Sequence, residues 1–430
     1  MRAKQPQKLG ADAVGVAIVG AGERGVYYIG TQIAALCQEL GLYVTGVHDR
    51  LPDRAHLGAS YLTDLYRQGG IDHAVARYDN LDAVLADPKV DIVVVTTHTN
   101  QHRVPVLRAL DAGKKVYLDK PIAVSLDDAL AIQAAERRHR RPVIMGFTRR
   151  YEKPWVEMAK LLRAGAIGDL QMMLLRSVIP YSRYLQLWHR DQRLSGGALN
   201  DKSSHHFDVL NWFASSVCET VTALGGRSGV FKPDPNAPTR CRECDRDCPY
   251  RFRAGLIDYE EGRQQPPNRS WADAADPIDW DDACVYAPGA DIDDHAIVSL
   301  GYRNGVKASL FFTIFGPYAP DQETFELVGA SGRMRLERAS GSIDLIADHG
   351  ARRETIRFED PDQSTSHYGA DRHLVRALRA FHDGAVPPVG VDEGIASLRL
   401  VLAAQQSLRQ NGIPVFPQQL GAELKQANLD

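Results

Sequence analysis

The sequence feature that most constrains the fold is Gly20-Ala-Gly-Glu-Arg-Gly25, which directly follows the apolar run Val16-Ala-Ile-Val19. The pattern Gly-x-Gly-x-x-Gly between a strand and a helix is typical of a dinucleotide-binding turn. Its first glycine permits the tight turn, its second lets the main chain approach the pyrophosphate, and its third allows the helix to lie close to the strand. The N–H groups at the start of the helix can then bind phosphate. We therefore predict cofactor contacts at Gly20, Gly22, Glu23, Arg24 and Gly25.

The surrounding sequence predicts the domain that carries this turn. Short apolar runs alternate with helical patterns from residue 14 to residue 147, and the most apolar run, at 91–96, has the length of a strand. Such alternation predicts a doubly wound parallel sheet covered by helices on both faces. We assign residues 1–147 to an N-terminal Rossmann domain.

The pattern changes after residue 147, where long alternating runs predict an α+β domain with an open, mainly antiparallel sheet. Residues 303–305 form an Arg-Asn-Gly hairpin signal. Helices are expected at 154–164, 198–214, 372–382 and 393–410. We assign residues 148–430 to this second domain, with a cysteine-rich insertion at about 231–288.

Composition excludes several classes of function. The formal net charge is -3, so nothing favours a nucleic-acid partner. Residues 1–13 lack the apolar core of a secretion signal, and no apolar run reaches the roughly 18 residues of a spanning helix. We expect a cytoplasmic protein without membrane partners, whose thiols stay reduced.

The end of the second predicted strand bears on the choice of dinucleotide. Asp49 is well placed to accept hydrogen bonds from the adenosine ribose hydroxyls, which favours NAD because a carboxylate repels the 2′-phosphate of NADP. Arg50 follows immediately and would suit that phosphate. We therefore expect NAD, with NADP as the open alternative.

Two further stretches suggest catalysis. One predicted strand ends in Asp119-Lys120-Pro121, and a later segment reads Gly196-Gly-Ala-Leu-Asn-Asp-Lys-Ser-Ser-His-His-Phe-Asp208. On the predicted helix at 198–214, Asp201 and His205 are four residues apart and share one face. Lysine, aspartate and histidine side chains around a carbinol provide the proton acceptor that dehydrogenation needs.

At this point the chain resembles the glucose–fructose oxidoreductase / inositol dehydrogenase (Gfo/Idh/MocA) family. The resemblance covers most of the chain and rests on the order of modest motifs. Besides the motifs above, these are Thr96-Thr97 with His102, Gly113-Lys-Lys-Val116, Gly146-Phe-Thr-Arg-Arg-Tyr151, Gly165-Ala-Ile-Gly168, Trp188-His-Arg190, Ser195-Gly-Gly197 and Val391-Asp-Glu-Gly394. The family's usual Glu-Lys-Pro is Asp119-Lys120-Pro121 here, and Thr97-His98-Thr99 replaces its common Thr-Pro-Asn.

The resemblance implies roles for these residues. Lys120 would contact both the nicotinamide ribose and the reacting hydroxyl, Asp201 would be the orienting acid, and His205 the acid/base. His206 is a rival for His205. The remaining predicted cofactor contacts are Thr97, His98, His102 and Asp119. Members of the family commonly form dimers or tetramers through the sheet face, so we expect a homodimer or homotetramer.

Aromatic faces and arginine donors suit a polyol ring, and the chain offers several for the wall of a substrate pocket. Ordinary packing is the competing interpretation for each of them. These candidates are Arg149, Arg150, Tyr151, Tyr181, Tyr184, Trp188, His189, Arg190 and His206.

Four of the six cysteines fall in the insertion, at Cys241, Cys244, Cys248 and Cys284. Thiolates at such spacing can hold a structural zinc ion, which would staple a segment that is poor in apolar residues. Reduced thiols without a metal are the alternative.

Three functions follow from these patterns. The leading hypothesis is an NAD(P)-dependent oxidoreductase that acts on a secondary hydroxyl of a sugar, sugar derivative or cyclitol. The first alternative is an NAD-dependent glycosidase that oxidises a ring hydroxyl transiently and then eliminates the aglycone. The second is a dinucleotide-sensing protein without catalysis.

Overall fold

The computed structural model describes residues 9–421 except 11, 251–256, 259–262, 265–282, 318, 320 and 363. Predictions for the two termini, and for much of the insertion, lie outside the described residues. The described chain divides into two compact units. The first holds residues up to 148 together with 362–394, and the second holds the remainder.

The first unit contains a six-stranded sheet in the order β3-β2-β1-β4-β5-β6, with every described pairing parallel. Its strands are β1 Val14–Val19, β2 Leu42–His48, β3 Ala76–Arg77, β4 Ile92–Val95, β5 Lys115–Leu118 and β6 Val143–Met145. Every residue of the central strands β1 and β4 is buried. This pattern matches a sheet covered by helices on both faces.

Helices connect these strands along the chain. They are α1 Thr31–Ala35, α2 Cys37–Leu40, α3 Pro52–Gln68, α4 Leu81–Ala86, α5 Arg103–Asp111 and α6 Leu126–His139. The side chains of Asn80 and Ser125 cap α4 and α6. The chain between the glycine turn and residue 40 is not one regular helix: a π-helical stretch at Glu23–Gly30 precedes α1, and Leu36 separates α1 from α2. Glycine at 25 and 30 weakens the preference for a regular helix there.

The second unit contains an eight-stranded sheet in the order β16-β15-β14-β13-β7-β12-β11-β8. Only the β7–β12 pairing among them is parallel, and the other described pairings are antiparallel. Its strands are β7 Leu170–Val178, β8 Cys218–Gly226, β11 His295–Tyr302, β12 Lys307–Thr313, β13 Glu323–Gly329, β14 Arg333–Glu337, β15 Ser342–Ala347 and β16 Arg352–Ile356. In the insertion, β9 Ile257–Asp258 pairs with β10 Arg263–Gln264.

Helices cover one face of the large sheet and form the core of the second unit with it. They are α7 Lys153–Arg163, α8 Gln192–Ser195, α9 Gly197–Asp201 and α10 Ser204–Ala214. Trp155 on α7 packs against Phe325 with ring centroids 5.4 Å apart. Together the two units match the predicted fold class: a parallel Rossmann sheet and a mainly antiparallel sheet.

Two helices complete the described chain, α11 Ala370–His382 and α12 Val391–Arg409. Residues 362–394 cluster with the first unit, although everything after residue 147 was predicted to lie in the second domain. The expected helix at 198–214 is also wrong, because Lys202 and Ser203 separate α9 from α10. No described helix combines the length and apolarity needed to cross a membrane.

Candidate active site

The glycine turn of the first unit is packed against the end of β4. A Cβ atom at Gly20 would lie 2.6 Å from the carbonyl carbon of Thr96, and one at Gly25 would lie 2.4 Å from the Thr96 hydroxyl. Real Cβ atoms do not approach neighbours this closely, and Gly20 also has φ +103°. The Thr96 hydroxyl donates to the Gly20 carbonyl at 2.8 Å. The turn therefore requires glycine at both positions.

Gly22 has the opposite surroundings. A Cβ atom there would meet nothing within 4 Å, and Gly22 directly precedes the helical stretch Glu23–Gly30. The main chain at Gly22 is thus open to a ligand at a helix start, as a pyrophosphate requires.

Asp49 lies beside this turn. Its carboxylate accepts hydrogen bonds from the main-chain N–H of Ala21 at 2.8 Å and of Leu51 at 2.9 Å. Each carboxylate oxygen has a further lone pair, so ribose hydroxyls can still donate to it. The neighbouring Arg50 is exposed.

Lys120 is half-buried directly after β5 and forms a cis peptide with Pro121. The buried His102 connects this segment to another loop: its Nδ1 lies 2.9 Å from the Pro121 carbonyl and its Nε2 lies 3.0 Å from the Thr97 carbonyl. Burial lowers the pKa of His102 against the pull of Asp119 and these carbonyls. His102 therefore supports the loop through the main chain, and its contact with a cofactor stays a prediction.

The loop after β4 carries polar atoms that suit a ligand. The Thr97 hydroxyl and the Asn100 side-chain oxygen are buried and have no hydrogen-bond partner within the described part of the chain. Buried polar atoms are normally paired. With the open main chain at Gly22, these atoms fit a bound dinucleotide. Lys120, Thr97 and His98 then belong to the side of the unit where we expect the nicotinamide.

In the second unit, Asp201 ends α9 and His205 lies in the first turn of α10. The break between the helices falls at consecutive polar residues, where serine hydroxyls compete for main-chain groups. Ser204 Oγ lies 3.5 Å from the Asp201 carbonyl. Asp201 and His205 are both at most 6% exposed.

The Asp201 carboxylate meets a group of aromatic rings. The Tyr184 hydroxyl donates to its Oδ2 at 2.5 Å, and Nε2 of His189 lies 3.9 Å from the same oxygen. Burial, together with the Asp201 charge, raises the pKa of Tyr184 well above its ordinary value, so the phenol keeps its proton. The His189 ring stacks on the Tyr184 ring with centroids 4.5 Å apart. The Trp188 ring also contacts the His189 ring, with centroids 4.1 Å apart.

Of two further predicted wall residues, Tyr181 joins this group of rings and Arg190 does not. The Lys202 ammonium sits 4.5 Å from the centroid of the Tyr181 ring, and Tyr181 meets Tyr184 edge to face. Arg190 instead donates to the carbonyls of Ala287 at 3.3 Å and Pro288 at 3.1 Å. The rings of residues 181, 184, 188 and 189 therefore form one cluster with Asp201, while the Arg190 guanidinium binds the main chain of the insertion.

His205 and His206 differ in their surroundings. His206 is fully buried, with Nδ1 3.3 Å from Ser203 Oγ and Nε2 3.7 Å from a carboxylate oxygen of Glu323. Burial lowers the pKa of His206 to about 4, despite the Glu323 charge. A histidine that stays neutral in this way suits a structural role better than proton exchange with a substrate.

Arg149 and Arg150 both lie in ion pairs. Arg149 donates to Glu323 from Nη2 at 2.6 and 2.8 Å and from Nε at 3.1 Å, and Arg150 pairs with Asp208 at 2.8 and 2.9 Å. Burial opposes ionisation of Glu323, but Arg149 and Arg338 outweigh it and hold its pKa well below the usual range. The neighbouring Tyr151 is also buried. Sequence reasoning missed Glu323, which carried no local signal, whereas Asp208 ends the motif that was recognised.

The cysteines of the insertion do not assemble into a metal site in the described residues. None of the four is in a disulfide, and no three of their sulfur atoms lie within 4.8 Å of one another. Cys241 is buried, with the Gln186 amide nitrogen 3.7 Å from its sulfur. This arrangement gives the expected structural zinc no support.

Comparison with known proteins finds two family models on this chain. An oxidoreductase family described as an NAD-binding Rossmann fold matches residues 14–147, and the C-terminal alpha/beta domain of an oxidoreductase family matches residues 159–415. The chain is 26% identical to oxidoreductase YteT of Bacillus subtilis, over 67% of this chain and 68% of that protein.

Two other relatives carry more specific names. The chain is 31% identical to inositol 2-dehydrogenase 1 of Saccharopolyspora erythraea, over 50% of this chain and 58% of that enzyme, so the match spans less than two thirds of it. A solved levoglucosan dehydrogenase in complex with NADH and levoglucosan superposes with a TM-score of 0.69 at 16% identity, covering 95% of this chain and 99% of that one. At such low identity the superposition shows the fold alone.

The glycine turn generates a paired prediction. Gly22→Ala should leave the unfolding temperature nearly unchanged, because its Cβ has open space, but should weaken NAD binding by filling the phosphate position. Gly25→Ala should lower the unfolding temperature, because its Cβ would overlap the Thr96 hydroxyl. Thermal unfolding and calorimetric titration with NAD measure both. Equal losses of stability in the two variants would contradict this account of the turn.

The buried His206 generates a pH prediction. Its folded pKa of about 4 lies below the ordinary value of 6.5, so the unfolded chain takes up the proton first and stability falls as the pH drops below 6.5. Between pH 6.5 and 5 this loss is about 2 kcal/mol. Denaturant titrations of the wild type and of His206→Gln should differ in this slope. The matched control His56→Gln, at an exposed position, should keep it.

Proposed function

The chain belongs to the Gfo/Idh/MocA oxidoreductase family, and we propose that it transfers a hydride between NAD and a secondary hydroxyl of a sugar, sugar derivative or cyclitol. The observation that carries the proposal is the buried Asp201 carboxylate, which shares the second unit's recognised motif with His205 and is bonded by Tyr184 at 2.5 Å. The names of two relatives, an inositol dehydrogenase and a levoglucosan dehydrogenase, support a polyol substrate.

The residues of the chain divide the chemistry among themselves. Nicotinamide supplies the hydride acceptor when it is bound. His205 takes the hydroxyl proton as the hydride leaves the carbinol carbon, and returns it in the reverse direction. Asp201 orients the reacting groups, and the Lys120 ammonium stabilises the oxygen as negative charge develops on it. A buried environment strengthens each of these electrostatic effects.

His205 is the better candidate for the acid/base. His206 is fully buried beside Glu323 and its pKa lies about 4, so it remains neutral and is directed into the protein core. The aromatic cluster around Asp201, formed by Tyr181, Tyr184, Trp188 and His189, would supply the wall against which a polyol ring packs.

NAD is the preferred dinucleotide in this proposal. The Asp49 carboxylate is held at the end of β2 by the N–H groups of Ala21 and Leu51, and it would repel a 2′-phosphate. The NADH in the levoglucosan dehydrogenase complex supports the same preference.

The activity test follows nicotinamide absorbance with NAD or NADP against a panel of free sugars, cyclitols and glycosides. We expect one equivalent of NADH per substrate oxidised. Lys120→Ala should lower kcat by about 10²–10⁴-fold, as loss of an acid/base or charge partner does. Lys160→Ala, which removes an exposed lysine paired with Glu157, is the matched control.

Other outcomes would contradict the proposal. Aglycone release with NAD needed only in catalytic amounts would indicate the redox glycosidase. Tight binding of the dinucleotide without turnover across the panel would indicate the sensing protein.

We also propose that two copies of the chain associate through the uncovered face of the large sheet. Apolar side chains of neighbouring strands form a continuous patch there, with Ile297 opposite both Phe311 and Leu224 in register. Met172 is 58% exposed and Leu224 61%. Arg176 and Glu326 flank the patch on the neighbouring strands β7 and β13 and carry opposite charges. In a pair of chains, each of these side chains could face the opposite charge of the second copy. Such an apolar face on a folded unit is typical of an interface.

This association gives a further prediction. Phe311→Glu should shift the protein to a smaller species in sedimentation velocity, because it buries a charge in the patch. Val386→Glu, at an exposed valine of the first unit, should leave the sedimentation unchanged. A wild-type protein that sediments as a monomer at high concentration would refute the interface.

A further inference from the structure

A buried charged network surrounds Arg24, the fifth residue of the glycine motif. Its Nε donates to Asp119 at 3.0 Å, its Nη2 donates to the Tyr117 hydroxyl at 3.1 Å, and its Nη1 donates to Asp371. The Tyr117 hydroxyl in turn donates to Asp119 at 2.5 Å. One guanidinium therefore connects three acceptors that come from two different parts of the first unit.

The absence of a side chain at Gly146 makes room for these groups. A Cβ atom at Gly146 would lie 2.3 Å from both the Asp119 carboxylate and the Tyr117 hydroxyl, so the end of β6 leaves room for them only because residue 146 is glycine. Tyr117 is fully buried and Asp119 is 6% exposed. Carboxylates in such surroundings need a cation.

The far side of the network is formed by the C-terminal segment of the same unit. Asp371 lies in the first turn of α11, is fully buried, and also contacts Nδ1 of His367 at 2.8 Å. Burial opposes the charge of Arg24, but Asp371, Tyr117 and Asp119 outweigh it and raise the pKa of the guanidinium well above its ordinary value. Arg24 thus stays charged.

We infer that Arg24 is a positioning residue that fixes Lys120 relative to the phosphate-binding turn. Arg24 lies within the turn, between Gly22 and Gly25, and its partner Asp119 directly precedes Lys120 in the chain. The inference rests on the proposed function, in which both elements contact one dinucleotide. Arg24 was predicted as a cofactor contact, and here it acts on the cofactor through Asp119.

Only arginine can make this connection. The three acceptors lie around the Nε, Nη1 and Nη2 atoms of one planar fork, whereas a lysine offers a single ammonium at the end of a flexible stem. Arg24→Lys keeps the charge that the buried carboxylates need but loses the shared geometry. Displacements on the order of 1 Å at a reactive site can cost about 10²-fold in rate.

The test is a double-mutant cycle on NAD binding, measured by calorimetry on the full-length protein. It compares the wild type, Arg24→Lys, Lys120→Met and the double variant. The matched control is Arg372→Lys on α11, which loses hydrogen bonds to Gln32 and Asp362 in the same unit. Thermal unfolding establishes that each variant is folded. If Arg24→Lys does not fold, Asp371→Asn replaces it, since it keeps the shape of one of the three acceptors but removes the negative charge that pairs with Arg24.

We expect Arg24→Lys and Lys120→Met each to raise the Kd for NAD, and their effects to be non-additive by at least about threefold, because each disturbs the same placement. Arg372→Lys should be additive with Lys120→Met. Additive effects of Arg24→Lys would overturn the inference while leaving the proposed function intact. A Lys120→Met variant that binds NAD like the wild type would also overturn it. Absence of NAD binding by the wild type would refute both.

Discussion

The contact between Thr96 and the glycine turn sets the local geometry where the turn meets the end of β4. Because Gly20 and Gly25 both lie against Thr96, the helical stretch Glu23–Gly30 must start close to the end of β4, and Gly22 is left facing open space. That start sets the direction in which Arg24 leaves the main chain. The guanidinium then reaches Asp119 and Asp371 rather than solvent. A single close approach of the main chain to a strand end thus leaves Gly22 open and directs Arg24 to Asp119, the residue before Lys120.

The buried charges of the second unit are arranged by a different rule. Glu323 is paired with Arg149 and lies 3.6 Å from Arg338, and Asp208 is paired with Arg150, so these carboxylates are bound by permanent cations. Asp201, by contrast, accepts a hydrogen bond from the Tyr184 phenol, which keeps its proton, and lies 3.9 Å from Nε2 of His189. Permanent ion pairs fix structure, whereas groups of this second kind can respond to a reacting proton. These contacts support the role that we propose for Asp201.

The sequence predicts features that depend on neighbours in the chain. Alternating apolar runs gave the class of both sheets, and the glycine spacing gave the turn, because period and spacing are local properties. Contacts between residues far apart in the chain could not be predicted in this way. Glu323 lies 174 residues from Arg149, and Asp371 lies 347 residues from Arg24. The prediction of one continuous helix at 198–214 was wrong because the break between α9 and α10 depends on side-chain hydrogen bonds, which the hydrophobic period does not reveal. The zinc prediction rested on cysteine spacing alone, and the described residues do not bring those thiols together.

The proposed function requires that a hydride move directly between nicotinamide and a carbinol carbon on this chain. The most direct measurement uses NADH deuterated at the transferring position of C4, incubated with the protein and a panel of keto-cyclitols and keto-sugars, with products analysed by mass spectrometry. If the hydride moves directly, the product carries one deuterium on the carbinol carbon for each NAD formed. Product that carries solvent hydrogen at that carbon, or oxidation of the cofactor without labelled product, would contradict it.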